Sequence, residues 1–187
     1  MRKLRLFGTP MFTVIWVLAV VSLAVAKEDG NGSRFRTSLI GFQEVPAVST
    51  GATGSLTLDV RSNPDRIDYT LTYTALEGGV VAAAHIHLGQ RSVNGGVIAF
   101  FCGGGGKPAC TTPSGSFSGT ITPADILGPT GAQQVTPGAF DEVVRALKAG
   151  VVYANVHSAA SPGGEIRGQV TDRRGDNDHD NGQDDGD

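Results

Sequence analysis

Period-two alternation of apolar and polar residues, punctuated by Gly, Pro, Asn and Ser clusters, is the feature that most limits what this chain can fold into. From Arg66 to Thr74, Ile67, Tyr69, Leu71 and Tyr73 alternate with Asp68, Thr70, Thr72 and Thr74. Successive strand side chains point to opposite faces, so the run predicts a strand with one buried and one wet face. Comparable stretches cover 35–40, 54–60, 80–88, 96–101, 115–121, 151–157 and 165–171. Seven or eight short strands joined by turn residues predict an all-β fold, an antiparallel Greek-key-like β-sandwich or barrel. One short α-helix interrupts them, with Phe140, Val143, Val144 and Leu147 at helical spacing, Asp141 and Glu142 in its first turn, and Gly150 as its stop.

The two ends of the chain read differently from this body. Arg2, Lys3 and Arg5 precede an apolar run from about Met11 to Val25 that closes on Ala24-Val25-Ala26, the pattern of a cleaved export signal. Residues 1–26 are therefore expected to be a signal peptide and 27–33 a flexible lead-in. The β domain is expected over 34–171, and 172–187 as a disordered acidic tail. Three of the 15 basic residues and none of the 18 acidic ones precede Lys27, leaving 12 against 18, a net of −6. Seven aspartates and two arginines in 172–187 account for −5 of that, so the body is nearly neutral. No basic cluster fit for phosphate exists, which excludes a nucleic-acid partner. Removal of the signal also leaves no membrane span.

Cys102 and Cys110 are the only cysteines, spaced around Gly103-Gly104-Gly105-Gly106-Lys107-Pro108-Ala109. In an exported chain that spacing predicts a disulfide holding a glycine-rich loop. The glycines do not make a phosphate loop, because Phe101 stands where its first glycine belongs and Pro108 follows the lysine. Nucleophilic catalysis finds no frame either: Gly115-Ser116-Phe117-Ser118-Gly119 puts phenylalanine at the nucleophile position. In the tail, Asn181 occupies the place of the invariant glycine of a calcium loop begun at Asp176. The chain is not expected to be an enzyme.

Polar residues concentrate on one parity of two strand segments. His85 and His87 share a face in Ala84-His85-Ile86-His87-Leu88-Gly89, and Tyr153, Asn155, His157, Glu165, Arg167 and Gln169 share another. A hairpin through 158–164 opposes His157 to Glu165 and Asn155 to Arg167. If the strand of His85 and His87 lies alongside, three imidazoles converge. Such a set can ligate copper or zinc, with Asn155, Glu165 and Arg167 as the surrounding polar patch and Glu165 as a group to orient a ring. The favoured reading is structural, with metal binding as the alternative: the same histidines hydrogen-bond Glu165, Asn155 and nearby carbonyls and set strand register.

Four ordered motifs, Phe42-Gln43-Glu44-Val45-Pro46, Ala84 to Gly89, Gly119-Thr120-Ile121-Thr122-Pro123-Ala124-Asp125 and Tyr153 to Gln169, resemble the chordin-type (CHRD) domain over roughly Phe35 to Val170. The resemblance implies a secreted or otherwise extracytoplasmic all-β module that is non-enzymatic and acts in interaction or structure. In secreted growth-factor antagonists, such domains stand beside cysteine-rich modules that bind the growth factor; this chain has none, so that activity is not implied. The partner expected is an unidentified protein or cell-envelope component. Self-association through exposed strand edges is a further expectation.

Overall fold

The computed structural model describes residues 32–129 and 131–173. The signal expected over 1–26 and nearly all of the tail expected over 172–187 lie outside them. The eight predicted strand segments all form strands: β1 (Arg34–Ile40), β2 (Thr53–Ser62), β3 (Asp65–Thr74), β4 (Val81–Leu88), β5 (Val97–Cys102), β6 (Gly115–Ile121), β7 (Val152–Ser158) and β8 (Ile166–Gln169). The last segment breaks after Gln169 and resumes as β9 (Thr171–Asp172), which pairs with β1. Among the described residues the one α-helix, α1, runs Phe140–Lys148. It buries Phe140, Val143 and Leu147, carries Asp141 and Glu142 at its positive end, and stops before Gly150, whose φ of +68° suits glycine.

All pairings are antiparallel, in one sheet of order β5-β4-β7-β8-β1-β2-β3-β6. The sheet curls into a nearly closed, barrel-like form. The β5 end approaches β3, next to the other end, across the interior: the Tyr69 hydroxyl on β3 donates to the Phe101 carbonyl on β5 at 3.3 Å, and the two rings lie 4.7 Å apart. The inward parity supplies the core, with Phe35, Leu39, Leu56, Leu58, Ile67, Leu71, Ile86, Ile98, Val156 and Ile166 among its fully buried members. Burying each such side chain stabilises the fold by about 1.5–3 kcal/mol relative to exposure. On β2 and β3 the opposite parity is wet and is laced by cross-strand hydroxyl pairs such as Ser55 with Thr72 at 2.8 Å.

On β4, β7 and β8 the alternation fails in an informative way, for both faces are covered. One face joins the core; the other lies under the segments 41–48 and 89–95. The Asn94 amide donates to the Val45 carbonyl at 2.9 Å, joining those two covers.

Cys102 and Cys110 are bonded, with Cα atoms 5.1 Å apart. Their loop reaches toward β6, where Lys107 Nζ donates to the Thr120 carbonyl at 3.1 Å and pairs with Asp125 at 2.8 Å. The bond closes a short ring, so its loop-closure contribution is about 2–3 kcal/mol. The Cys102→Ser/Cys110→Ser double variant is expected to lose about that much stability in urea unfolding, with the three-histidine geometry intact in its NMR spectrum. An unchanged unfolding midpoint contradicts this.

Candidate functional site

Strand pairing assembles the polar face as the sequence spacing predicts. β7 lies between β4 and β8, opposing Asn155 both to His85 and to Arg167, Tyr153 to both His87 and Gln169, and His157 to Ala83. Register shifts in the β4–β5 pairing on either side of His85 and Ile86 let β4 bend beneath the site. The outcome is one cluster: the ligand atoms of His85, His87 and His157 all lie within 4.8 Å of one another. His85 and His87 are 7 % exposed and Asn155 2 %, while His157 remains partly open.

Hydrogen bonds fix which way each ring faces. His87 Nδ1 lies 2.9 Å from the Gly95 carbonyl, and His157 Nδ1 lies 2.9 Å from the Pro162 carbonyl. A carbonyl can only accept, so both Nδ1 atoms carry the ring proton and both Nε2 atoms present lone pairs to the centre. His85 Nδ1 stands 2.8 Å from His87 Nε2 and 3.3 Å from Asn155 Oδ1. His157 Nε2 stands 2.9 Å from the same Asn155 oxygen. Around the His85 ring, Phe100 packs edge-on with centroids 4.7 Å apart.

Burial, followed by mutual repulsion with His157 and His87, pushes His85 down to about 3. Burial pushes His87 down to about 4 and also lowers His157. All three imidazoles are neutral at pH 7, the form in which they bind metals.

A second group of residues holds the cover in place. Arg167, 1 % exposed, donates to Asn94 Oδ1 at 3.0 Å and to the Gln90 and Val93 carbonyls at 3.1 and 2.9 Å. Its guanidinium carbon lies 3.4 Å from the centre of the Tyr153 ring, and Tyr153 stacks on His87 at 4.6 Å and 5°. Gln169 Nε2 donates to the Gly89 and Gly150 carbonyls at 3.0 and 2.9 Å. Arg167 thus serves the patch by anchoring the loop that supplies the Gly95 carbonyl.

Glu165 behaves differently from its expected role as a ring-orienting acid. It stands just before β8, where the ladder no longer sets side-chain direction, and its carboxylate accepts from Thr50 Oγ1 at 3.0 Å and from the Glu77 and Gly78 N–H groups at 2.7 and 3.0 Å. Those bonds tie β8 to the chain after β3 rather than to an imidazole. The carboxylate beside the site is Glu44, for which the sequence offers no periodic signal. It is 5 % exposed and lies against Asn155 in space that Gly164 leaves free: a Cβ there would sit 2.2 Å from Glu44 Oε1 and 2.7 Å from Asn155 Nδ2. Gly164 also holds a φ of +128°, which disfavours any other residue.

Burial raises Glu44 to about 7, with Arg167, the Val45 N–H and the Asn155 amide opposing the shift. A barrel-like β module with a covered polar layer and a neutral imidazole cluster is thereby defined. The sequence matches the CHRD domain family over residues 35–170, and the chain belongs to that family. CHRD domains are extracellular, non-enzymatic modules, and the Cys102–Cys110 bond fits a location outside the cytoplasm. No curated protein and no solved structure matches the chain. Among the described residues, no helix is long and apolar enough to cross a membrane.

The shifts of Glu44 and the histidines have opposite consequences for stability. Glu44 holds its proton more tightly folded than unfolded, so stability falls as pH rises from about 4.5 to about 7. The histidines hold theirs less tightly, so their contribution is complete above about 6.5 and is lost as pH falls toward 4 and 3. Glu44→Gln is therefore expected to stabilise the metal-free protein by about 2 kcal/mol at pH 8 and by little at pH 5. Equal effects at both pH values in chemical denaturation would contradict the burial of a charged Glu44.

Proposed function

We propose that this chain works outside the cytoplasm as a non-enzymatic CHRD module whose site holds one copper or zinc ion through His85, His87 and His157. The observation that carries this reading is a shortage of protons. Four inward atoms, His85 Nδ1, His87 Nε2, His157 Nε2 and Asn155 Oδ1, crowd together, and every one is an acceptor unless His85 carries its proton on Nδ1. A single His85 proton satisfies its contact with His87 Nε2 and leaves His157 Nε2 facing Asn155 Oδ1 with nothing to share.

A purely structural hydrogen-bonded cluster would place donors between acceptors. Converging lone pairs instead suit a cation, which replaces the His85 proton at Nδ1 while that proton moves to Nε2. Imidazole nitrogens select copper or zinc over calcium or magnesium, which take oxygen ligands. The Gly95 and Pro162 carbonyls would then act as outer partners that fix the rings of His87 and His157. The ion would bind together β4, β7 and the cover over them, giving the module a rigid surface for a protein or envelope partner.

Isothermal calorimetry of the purified protein with Zn(II) and Cu(II) at pH 7 is expected to show saturable binding at one ion per chain. His85→Ala and His157→Ala should each weaken it by at least about 100-fold, as loss of a direct ligand exceeds the roughly 10- to 100-fold loss typical of outer partners. Absence of saturable heat from either ion in the unmodified protein rejects the reading.

A further inference from the structure

We propose that Asn155 is the fourth ligand of this centre, through Oδ1, and that the buried Glu44 carboxylate and the Gly163 carbonyl hold its amide in the ligating orientation. This rests on the three-histidine reading. An amide has one donating and one accepting end, and its surroundings decide which faces the imidazoles. Asn155 Nδ2 donates to the Gly163 carbonyl at 3.4 Å, and it and Glu44 Oε1 border the same space beside Gly164, 2.7 and 2.2 Å from where a Cβ would stand. The Gly163 carbonyl can only accept, so the nitrogen belongs there and the oxygen must face the rings. Reversing the amide would set its oxygen against the Gly163 carbonyl.

The oxygen so placed is 2.9 Å from His157 Nε2 and 3.3 Å from His85 Nδ1, at the heart of the cluster. With three nitrogens at metal–nitrogen distances of about 2.0–2.1 Å, the amide oxygen completes a four-coordinate set of the kind zinc prefers.

Charge explains why a carboxylate is buried behind the amide. Three neutral imidazoles and an amide bring no negative charge to a divalent ion, and the Arg167 guanidinium is itself close enough to interact with both Glu44 and His87. An unbalanced buried cation is costly. Glu44 is the anion beside the site, because Glu165 is occupied by Thr50, Glu77 and Gly78. Its Oε1 makes no hydrogen bond within the described residues. Its oxygen and the Asn155 nitrogen sit together only because Gly164 carries no side chain. The arrangement makes Glu44 a positioning residue that acts through Asn155 and lends its charge to the ion.

Cobalt(II) serves as the probe, since its visible absorption reports the number and type of ligands in a zinc-like site. The purified protein is expected to bind Co(II) with an intense four-coordinate spectrum. Asn155→Ala, or the near-isosteric Asn155→Leu where a cavity prevents folding, should shift that spectrum and weaken Co(II) and Zn(II) binding about 10- to 100-fold. Glu44→Gln keeps an acceptor for the amide but removes the charge; it should preserve the spectrum while weakening binding about tenfold. A folded Asn155 variant with the unmodified spectrum and affinity overturns the fourth-ligand assignment and leaves the three-histidine site standing. Failure of the unmodified protein to bind Co(II), Zn(II) or Cu(II) overturns both. A Glu44→Gln variant with unchanged affinity overturns the role given to its charge.

Discussion

The anchoring of Arg167 is the interaction on which the rest of the polar layer depends. A guanidinium removed from water must have its donors satisfied, and here two backbone carbonyls and an asparagine oxygen, all from residues 90–94, meet that demand. The same contact therefore fixes the path of a loop with no regular structure of its own. Through that loop the Gly95 carbonyl reaches His87, and through the Arg167–Tyr153–His87 stack the ring plane is set from the other side. Lysine cannot replace such a planar fork, because a point charge neither spreads over three acceptors in one plane nor stacks on tyrosine in the same way.

Two buried layers on the β4–β7–β8 side, one apolar and one polar, give this small barrel an unusual division of labour. The apolar layer supplies most of the folding free energy. In the polar layer each group must find a partner to avoid a penalty, so it contributes geometry more than stability. Glu44 is the clearest case, since its burial opposes its ionisation, and a group that costs stability at neutral pH is retained where a positive charge beside it can offset the cost.

Much of this was legible in the chain itself. The strands and the helix followed from period-two and helical spacing, and the Asn155–Arg167 register followed from placing a turn between two alternating runs. The disulfide followed from two cysteines eight residues apart. The convergence of three histidines depended on β4 lying next to β7, which parity alone allows but does not require. The place of Glu44 beside the site was hidden, because it sits in an aperiodic segment whose position is set by contacts with Asn94 and Gln169 far along the chain. Glu165 was misread for the converse reason: alternation was carried one residue past the end of the ladder, where N–H groups of residues 77 and 78 capture its side chain.

The strap between the two margins of the sheet has its own consequence. Carbonyls on β5 are already taken, that of Ile98 by the Leu127 N–H at 2.9 Å and that of Phe101 by the buried Tyr69 hydroxyl, while Lys107 occupies the Thr120 carbonyl on β6. Each acceptor filled from within removes one position that an unpaired strand edge would otherwise offer to another chain.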